Sequence, residues 1–304
     1  MSRAALYDRT GGPEVLYVGE VADVQPQPGH VLLRVRAAGL NPFDSKMRAG
    51  FIPSDAPFPR RIGGDVAGTV AAVGDGSVYG DGTAIQVGDE VFGRAGGAIA
   101  ERVVASASEL AKRPEALPVE VAGGMWVAGL TAVSCLATIP IGEDDTVLVG
   151  GAAGGVGFVA AQLAVATGAR VIGTASERNH ELLRSVGVEP VTYGEGLADR
   201  VAGLGQVTAV IDAHGRDALD AGVQLGVPAD RMVAIAAYAA VDELGVHNAE
   251  RAARTPENLL ELADDVVAGR LVFPVAATYP LDEVVAAFTA VDGSHAPGKI
   301  VVLP

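Results

Sequence analysis

Residues 146–169 read TVLVGGAAGGVGFVAAQLAVATGA, and the fold is decided by this stretch. It opens with an apolar run, 146–149, that has the length of a buried strand. Five glycines follow within eight residues: Gly150, Gly151, Gly154, Gly155 and Gly157. Small and apolar residues then continue with helical character to about residue 167. Strand, glycine turn and helix in this order make a phosphate-binding unit. Glycines let the backbone approach a pyrophosphate, and the helix N-terminus offers unpaired N–H groups and the positive end of its dipole. Taken alone, the motif reads equally as a tight turn without a ligand. The stretch carries no charge between Asp145 and Arg170. It is not read as a membrane span, because glycines crowd its first half and strand–helix alternation flanks it.

Downstream the alternation continues. The pattern predicts strands at 170–174, 190–193, 207–212 and 231–237, with helices at 177–186, 195–202 and 216–224 between them. Strands separated by helices of about ten residues mean βαβ units on a parallel sheet. Residues 255–268 predict a further helix, with Thr255 as N-cap, Pro256 in its first turn and Gly269 after its end. A strand at 271–278, a helix at 281–291 and a strand at 299–303 follow.

Upstream, short apolar runs at 3–7 and 31–37, the glycine-studded pair 61–74, and the units 87–93 and 98–104 are broken by turn signals. They predict a small antiparallel or barrel-like β domain. Residues 39–50 read as a loop. Residues 118–136 have helical character and lead into the central unit. The expected fold class is therefore α/β, with a discontinuous β domain at 1–117 and 270–304 and a doubly wound parallel-sheet domain at 118–269.

Composition narrows the function. The formal charge is −15, from 22 basic and 37 acidic residues, so the surface repels nucleic acid and anionic membranes. Neither is an expected partner. One cysteine, Cys135, allows no intramolecular disulfide and no multi-cysteine metal site, and its apolar surroundings mark it as packing. The opening residues, MSRAALYDRTGG, lack the apolar core of a signal peptide, and a cytoplasmic protein is expected. Three near-motifs are set aside. GSHAPGKI at 293–300 has Ile300 where a P-loop needs Ser or Thr. His180–Glu181 followed by Arg184 lacks the second histidine of a zinc protease. His214, in the stretch 212–215, reads as a neutral loop histidine.

Seven stretches, in order and spacing, carry a family resemblance: NPFDSKMRAG (41–50), GGDVAGTVAAVG (63–74), VGDEVFG (87–93), VAGLTA (127–132), TVLVGGAAGGVG (146–157), GTAS (173–176) and GKIVV (298–302). Together the chain resembles the zinc-independent, quinone oxidoreductase (zeta-crystallin-like) branch of the medium-chain dehydrogenase/reductase superfamily. That resemblance implies a GroES-like β domain plus a Rossmann domain and a homodimer, which residues 243–248 would build by pairing with their copy. Zinc members carry a cysteine ligand near the start of NPFD and a histidine in a GHE segment. Here Asn41 and the GGD of 63–65 stand there, so no metal site is expected. The glycine motif has the AxGxxG form found in quinone-reductase-like members.

NAD-preferring sites place an acidic residue at the end of the second strand to hold the ribose 2′-OH. Here that strand ends GTAS, and Glu177 comes one step later. Ser176 and Arg178 are placed to bond a 2′-phosphate, so NADPH is the expected cofactor. Tyr193 matches a phosphate-contacting tyrosine of the family. Thr131 resembles a family position near the cofactor's phosphates, or reads as a helix-interior threonine; Lys299 is counted with the cofactor-binding residues, and Ala152, Gly154, Gly155, Val156 and Gly157 form the turn. For chemistry, quinones and α,β-unsaturated carbonyls are activated by conjugation and need no metal. The protein must position them and hydrogen-bond the developing oxyanion. Asn41 reads either as a donor to substrate or nicotinamide, or as a turn residue before Pro42. Lys46 reads as a cation for the enolate, or as a surface lysine. Tyr238 reads as a second donor, or as a partly buried strand-end residue. The expected activity is NADPH-dependent reduction of quinones or enones. An enoyl reductase of a biosynthetic pathway and a non-catalytic, crystallin-like NADPH binder are the alternatives.

Overall fold

The computed structural model describes residues 1–293 and 297–304; the middle of GSHAPGKI, 294–296, lies outside the described residues. In chain order the elements are β1 (Ser2–Tyr7), β2 (Leu16–Val21), β3 (His30–Gly39), α1 (Pro42–Ala49), β4 (Arg60–Arg61), β5 (Asp65–Val73), β6 (Glu90–Arg94), β7 (Arg102–Ser106), β8 (Leu110–Lys112), α2 (Val119–Ala122) and α3 (Met125–Thr138). Next come β9 (Thr146–Gly150), α4 (Gly155–Ala166), β10 (Arg170–Thr174), α5 (His180–Ser185), β11 (Glu189–Val191), α6 (Leu197–Ala202), β12 (Ala209–Asp212), α7 (Asp217–Gln224), β13 (Met232–Ala234), α8 (Tyr238–Leu244) and β14 (His247–Asn248). The remaining elements are α9 (Pro256–Val267), β15 (Val275–Pro280), α10 (Val284–Asp292) and β16 (Lys299–Leu303). No helix among the described residues is long and apolar enough to cross a membrane.

The chain divides into two units. The first comprises Met1–Val127, Thr255–Ala268 and Phe273–Pro304. Its larger sheet runs β15-β16-β3-β5-β6-β8, with β7 also paired to β3, and a three-stranded sheet runs β2-β1-β4. β3 shows how sequence sets the faces: Arg34 and Arg36 are exposed, while Leu33 and Val35 between and before them are buried. Val66, Val70, Val91, Leu110, Phe288 and Val302 complete that core. β16 lies inside the sheet, antiparallel to β3 and parallel to β15.

The second unit comprises Ala128–Arg254 and Gly269–Val272. Its six strands run β11-β10-β9-β12-β13-β14, and every pairing is parallel. Numbered within the unit, this is the order 3-2-1-4-5-6 of a Rossmann sheet, and strand order reverses at β9. β9, β10 and β12 are almost continuously buried, as strands covered on both faces must be. The Gln162 amide is buried, and each end finds a partner. Nε2 donates to Phe158 O and Val272 O, and Oε1 accepts from Val272 N.

Some expectations change. Residues 42–49 are a helix, not a loop: Asn41 is its N-cap, Pro42 its first residue, and the Asp44 carboxylate accepts the Asn41 backbone N–H at 2.9 Å. The helical segment at 118–136 is two helices, α2 and α3. The strand expected at 231–237 ends at Ala234, and Tyr238 opens α8 instead. α9, grouped by sequence with the parallel-sheet domain, belongs to the first unit and buries Leu259, Leu262 and Ala263 there. Its Thr255 hydroxyl accepts from Asn258 N, as the capping signal requires.

Candidate functional site

In the second unit, β9 feeds the glycine turn. Gly151 has φ +68°. Its N–H donates to Thr174 Oγ1 at 2.9 Å, and Ala152 N donates to Thr174 O at 3.0 Å, so the turn is tied to the end of β10. Gly154 caps α4 with extended backbone and no side-chain bond. The first N–H groups of α4, at Gly155, Val156 and Gly157, thus have neither an intrahelical acceptor nor a cap. The two motif glycines differ. A Cβ on Gly157 would sit 2.3 Å from Gly151 O, so the protein's own packing demands glycine there. A Cβ on Gly154 would meet only Gly151 O, at 3.3 Å. Packing does not require glycine at that exposed position, but a phosphate lying against the helix start would. The turn therefore fits a dinucleotide pyrophosphate.

The carboxyl ends of β10 and β11 lie side by side, with Thr174 opposite Val191 and Ala175 N bonded to Val191 O. Ser176 and Arg178 follow β10, and no carboxylate precedes the exposed Glu177. Ser176 Oγ accepts from Asn179 Nδ2 at 3.3 Å, which leaves its own proton to donate. Tyr193 follows β11 and is 56% exposed. Thr131 is buried within α3.

Sequence reasoning passed over Asp212, at the end of β12. It is 1% exposed. Oδ1 accepts from His214 N and Gly215 N at 3.1 and 2.8 Å, and Oδ2 accepts from Ala237 N at 3.3 Å. Burial pushes its pKa up, and these backbone N–H groups oppose that. One carboxylate thereby anchors the loops after β12 and β13, including the approach to Tyr238. The Tyr238 ring is exposed. An aspartate ending an apolar strand, with Gly215 three residues on, is the available signal.

In the first unit a buried polar cluster surrounds Asn41. Lys299 Nζ donates to Leu40 O at 2.8 Å, to Asn41 Oδ1 at 2.5 Å and to Asp65 Oδ2 at 3.2 Å. Asn41 Nδ2 donates to Asp65 Oδ2 at 3.1 Å, and Asp65 Oδ1 accepts Val127 N at 3.0 Å. Burial raises the Asp65 pKa, while Lys299 and Asn41 hold it down. Burial, with Asp65 adding to it, pushes the Asp44 carboxyl up to about 7. Two of the expected site residues lie inside this cluster. Lys299 has all three N–H donors spent inside this unit and none left for a cofactor phosphate. Asn41 is 3% exposed; its Oδ1 accepts from Lys299 and one Nδ2 hydrogen goes to Asp65, which fixes it at the start of α1. Lys46, partly exposed, lies in the last turn of that helix.

A family model described as the alcohol dehydrogenase GroES-like domain matches residues 27–115, and one described as zinc-binding dehydrogenase matches residues 186–302. The Pseudomonas aeruginosa protein named quinone oxidoreductase is 30% identical over 336 aligned positions, covering 100% of this chain and 100% of that protein. The chain belongs to the quinone oxidoreductase family of medium-chain dehydrogenases and reductases. The residues matched by the GroES-like model lie in the first unit, and the second unit carries the Rossmann-type sheet. A relative of this quinone oxidoreductase family member, the trans-enoyl reductase tazE of Aspergillus terreus, is 34% identical over 204 residues, 62% of this chain and 67% of that protein. The native structure of a mycobacterial protein complexed with NADPH matches with a TM-score of 0.86 at 30% identity, over 100% of both chains. The second family model is named for zinc. Where zinc members of the superfamily carry cysteine and histidine ligands, this chain has Asn41 and Gly64. Among the described residues no group of three or more His, Cys, Asp and Glu is arranged to hold a metal ion.

Proposed function

We propose that this chain is an NADPH-dependent oxidoreductase that reduces quinones or α,β-unsaturated carbonyls by hydride transfer without zinc. The observation that carries the reading is the uncapped glycine start of α4 beside a β10 end that offers Ser176 and Arg178 and no carboxylate. The family and the NADPH-bound mycobacterial structure support it.

The residues fit the cofactor in parts. Gly155, Val156 and Gly157 would hold the pyrophosphate through backbone N–H groups and the helix dipole, with Ala152 and Gly154, whose own N–H groups bond Thr174 O and Gly151 O, shaping the turn beside it. Ser176, Arg178 and Tyr193 would hold the 2′-phosphate by charge-assisted bonds. Thr131 is assigned to the same side of the Rossmann unit. The bound cofactor supplies a hydride from its reduced nicotinamide. The chain's own task is to orient the conjugated acceptor, exclude water and stabilise the oxygen that gains charge. Tyr238, at the start of α8 in the same unit as the glycine turn, is the group we assign to hydrogen-bond that oxygen, and Lys46 is the candidate that the first unit offers. Asn41, fixed by Lys299 and Asp65, positions the helix that carries Lys46.

NADPH oxidation in the presence of 9,10-phenanthrenequinone tests the reading. Turnover supports it; binding of NADPH without turnover on any quinone or enone overturns it in favour of a non-catalytic, crystallin-like binder. The tazE relative favours a second reading, an enoyl reductase of a biosynthetic pathway, which conjugated enone thioesters would reveal by outpacing quinones. We further propose a cytoplasmic homodimer. β14 is the exposed edge of the six-stranded sheet, and pairing with its copy would cover both edges. Sedimentation showing only monomer at micromolar concentration would remove that proposal.

A further inference from the structure

The guanidinium of Arg200, on α6, is wrapped by the loop that carries Tyr193. Nε and Nη2 donate to Thr192 O at 3.2 and 2.9 Å. Nη2 also reaches Tyr193 O and Gly194 O, each at 3.2 Å, and Nη1 donates to Glu195 O at 2.7 Å. Four consecutive carbonyls converge on one side chain. The loop bends that far because Gly194 and Gly196 take φ of +90° and +74°, values that L side chains resist. The fit at Gly196 is close: a Cβ there would come within 3.2 Å of Arg200 Nη1. All these bonds end on backbone oxygens, so none of these partners neutralises the charge. The register of β10 against β11 starts this loop beside Ala175, one residue before Ser176.

We infer that Arg200 is a positioning residue for NADPH selectivity. It locks the 192–195 backbone so that the Tyr193 hydroxyl is presented, with Ser176 and Arg178, to the 2′-phosphate. Without the lock, an exposed tyrosine on a glycine-rich loop would spend its hydrogen bond on ordering itself. Arginine is required by shape. Its planar fork reaches several carbonyls at once, whereas a lysine ammonium keeps the charge but not the fork. The inference rests on the NADPH reading above and goes beyond it, since Arg200 itself need not touch the cofactor.

Calorimetric titration of the full chain with 2′,5′-ADP and with 5′-AMP tests it. The unaltered chain is expected to prefer 2′,5′-ADP. Arg200→Ala should cut that preference by about tenfold, the worth of one hydrogen bond to a charged group, and leave 5′-AMP affinity unchanged. Tyr193→Phe should give the same loss, and the double variant no more. Arg200→Lys, which serves also if the alanine variant fails to fold, should not restore the preference. Equal weakening of both ligands, no change, or full rescue by lysine would each overturn the inference. An unaltered chain with no preference for 2′,5′-ADP would instead remove the NADPH reading beneath it.

Discussion

Lys299 Nζ stands 3.2 Å from Asp65 Oδ2 in the interior of the first unit, with the two side chains 5% and 0% exposed. Each charge is sustained by the other and by the Asn41 amide between them. Lys299→Met would strand the Asp65 carboxylate and should cost about 3–5 kcal/mol in urea unfolding at neutral pH. Adding Asp65→Asn should recover much of that loss. A cost of less than about 1 kcal/mol, as for an exposed pair, would show that the cluster is wetter than its geometry implies.

The Asp44 carboxyl sets a pH dependence. Its pKa is raised from 3.8 to about 7 by burial first and Asp65 second, so the folded state keeps a proton that the unfolded state has released. Its contribution to stability is therefore whole below about pH 4 and lost as pH rises to about 7. Asp44→Asn keeps an acceptor for the Asn41 N–H and cannot ionise. The variant should match the unaltered chain near pH 4 and become progressively more stable than it up to about pH 7. A constant difference across that range, read by urea midpoints, would contradict the assignment.

The glycine turn predicts a split between stability and binding. Gly157→Ala drives a methyl into Gly151 O and should cost about 1–3 kcal/mol of stability, as overpacking does. Gly154→Ala should change stability by less than about 0.5 kcal/mol. It should nonetheless weaken NADPH by about tenfold, because the methyl holds the pyrophosphate off the helix N–H groups. Thermal unfolding and fluorescence titration separate the two effects, and an unchanged NADPH affinity in the Gly154 variant would place the phosphates elsewhere.

Arg178 should discriminate between cofactors. Loss of a charge-assisted bond to the 2′-phosphate is worth about 1.5–3 kcal/mol, or roughly 10–100-fold. Arg178→Ala should raise the KM for NADPH by that factor and leave the KM for NADH nearly unchanged. Equal effects on the two would assign Arg178 to general folding or surface charge.

Sequence legibility followed the range of the determining contacts. β10 and β16 begin and end where the apolar runs do, because a buried parallel or interior strand needs nothing but apolar residues and flanking turns. α1 is legible in principle: Pro42 and Gly50 look like the breakers of a loop, yet Asn41–Pro42 with Asp44 is a helix start. The Lys299 cluster was not legible. It joins β16, the residues before α1 and the start of β5, three segments far apart in the chain, and no local pattern announces that three such positions meet. Nor was Arg200, whose role depends on two positive φ values that glycine permits but does not impose. The end of β13 at Ala234 is not legible either, because the Ala237 N–H goes to the Asp212 carboxylate of another strand and Tyr238 then opens α8.

The place of β16 between β15 and β3 also orders events during synthesis. Residues 299–303 emerge only after the whole of residues 128–254, so the end of nascent β3 at Ala38 and Gly39, beyond the part that β7 covers, must wait for its partner while the intervening Rossmann unit is translated. The inserted unit draws its strands from one nearly continuous segment and is free to close first. The unit begun earliest is thus the one finished last, and in that interval the unpaired end of β3 at Ala38–Gly39 is the surface that a ribosome-associated chaperone would have most reason to shield.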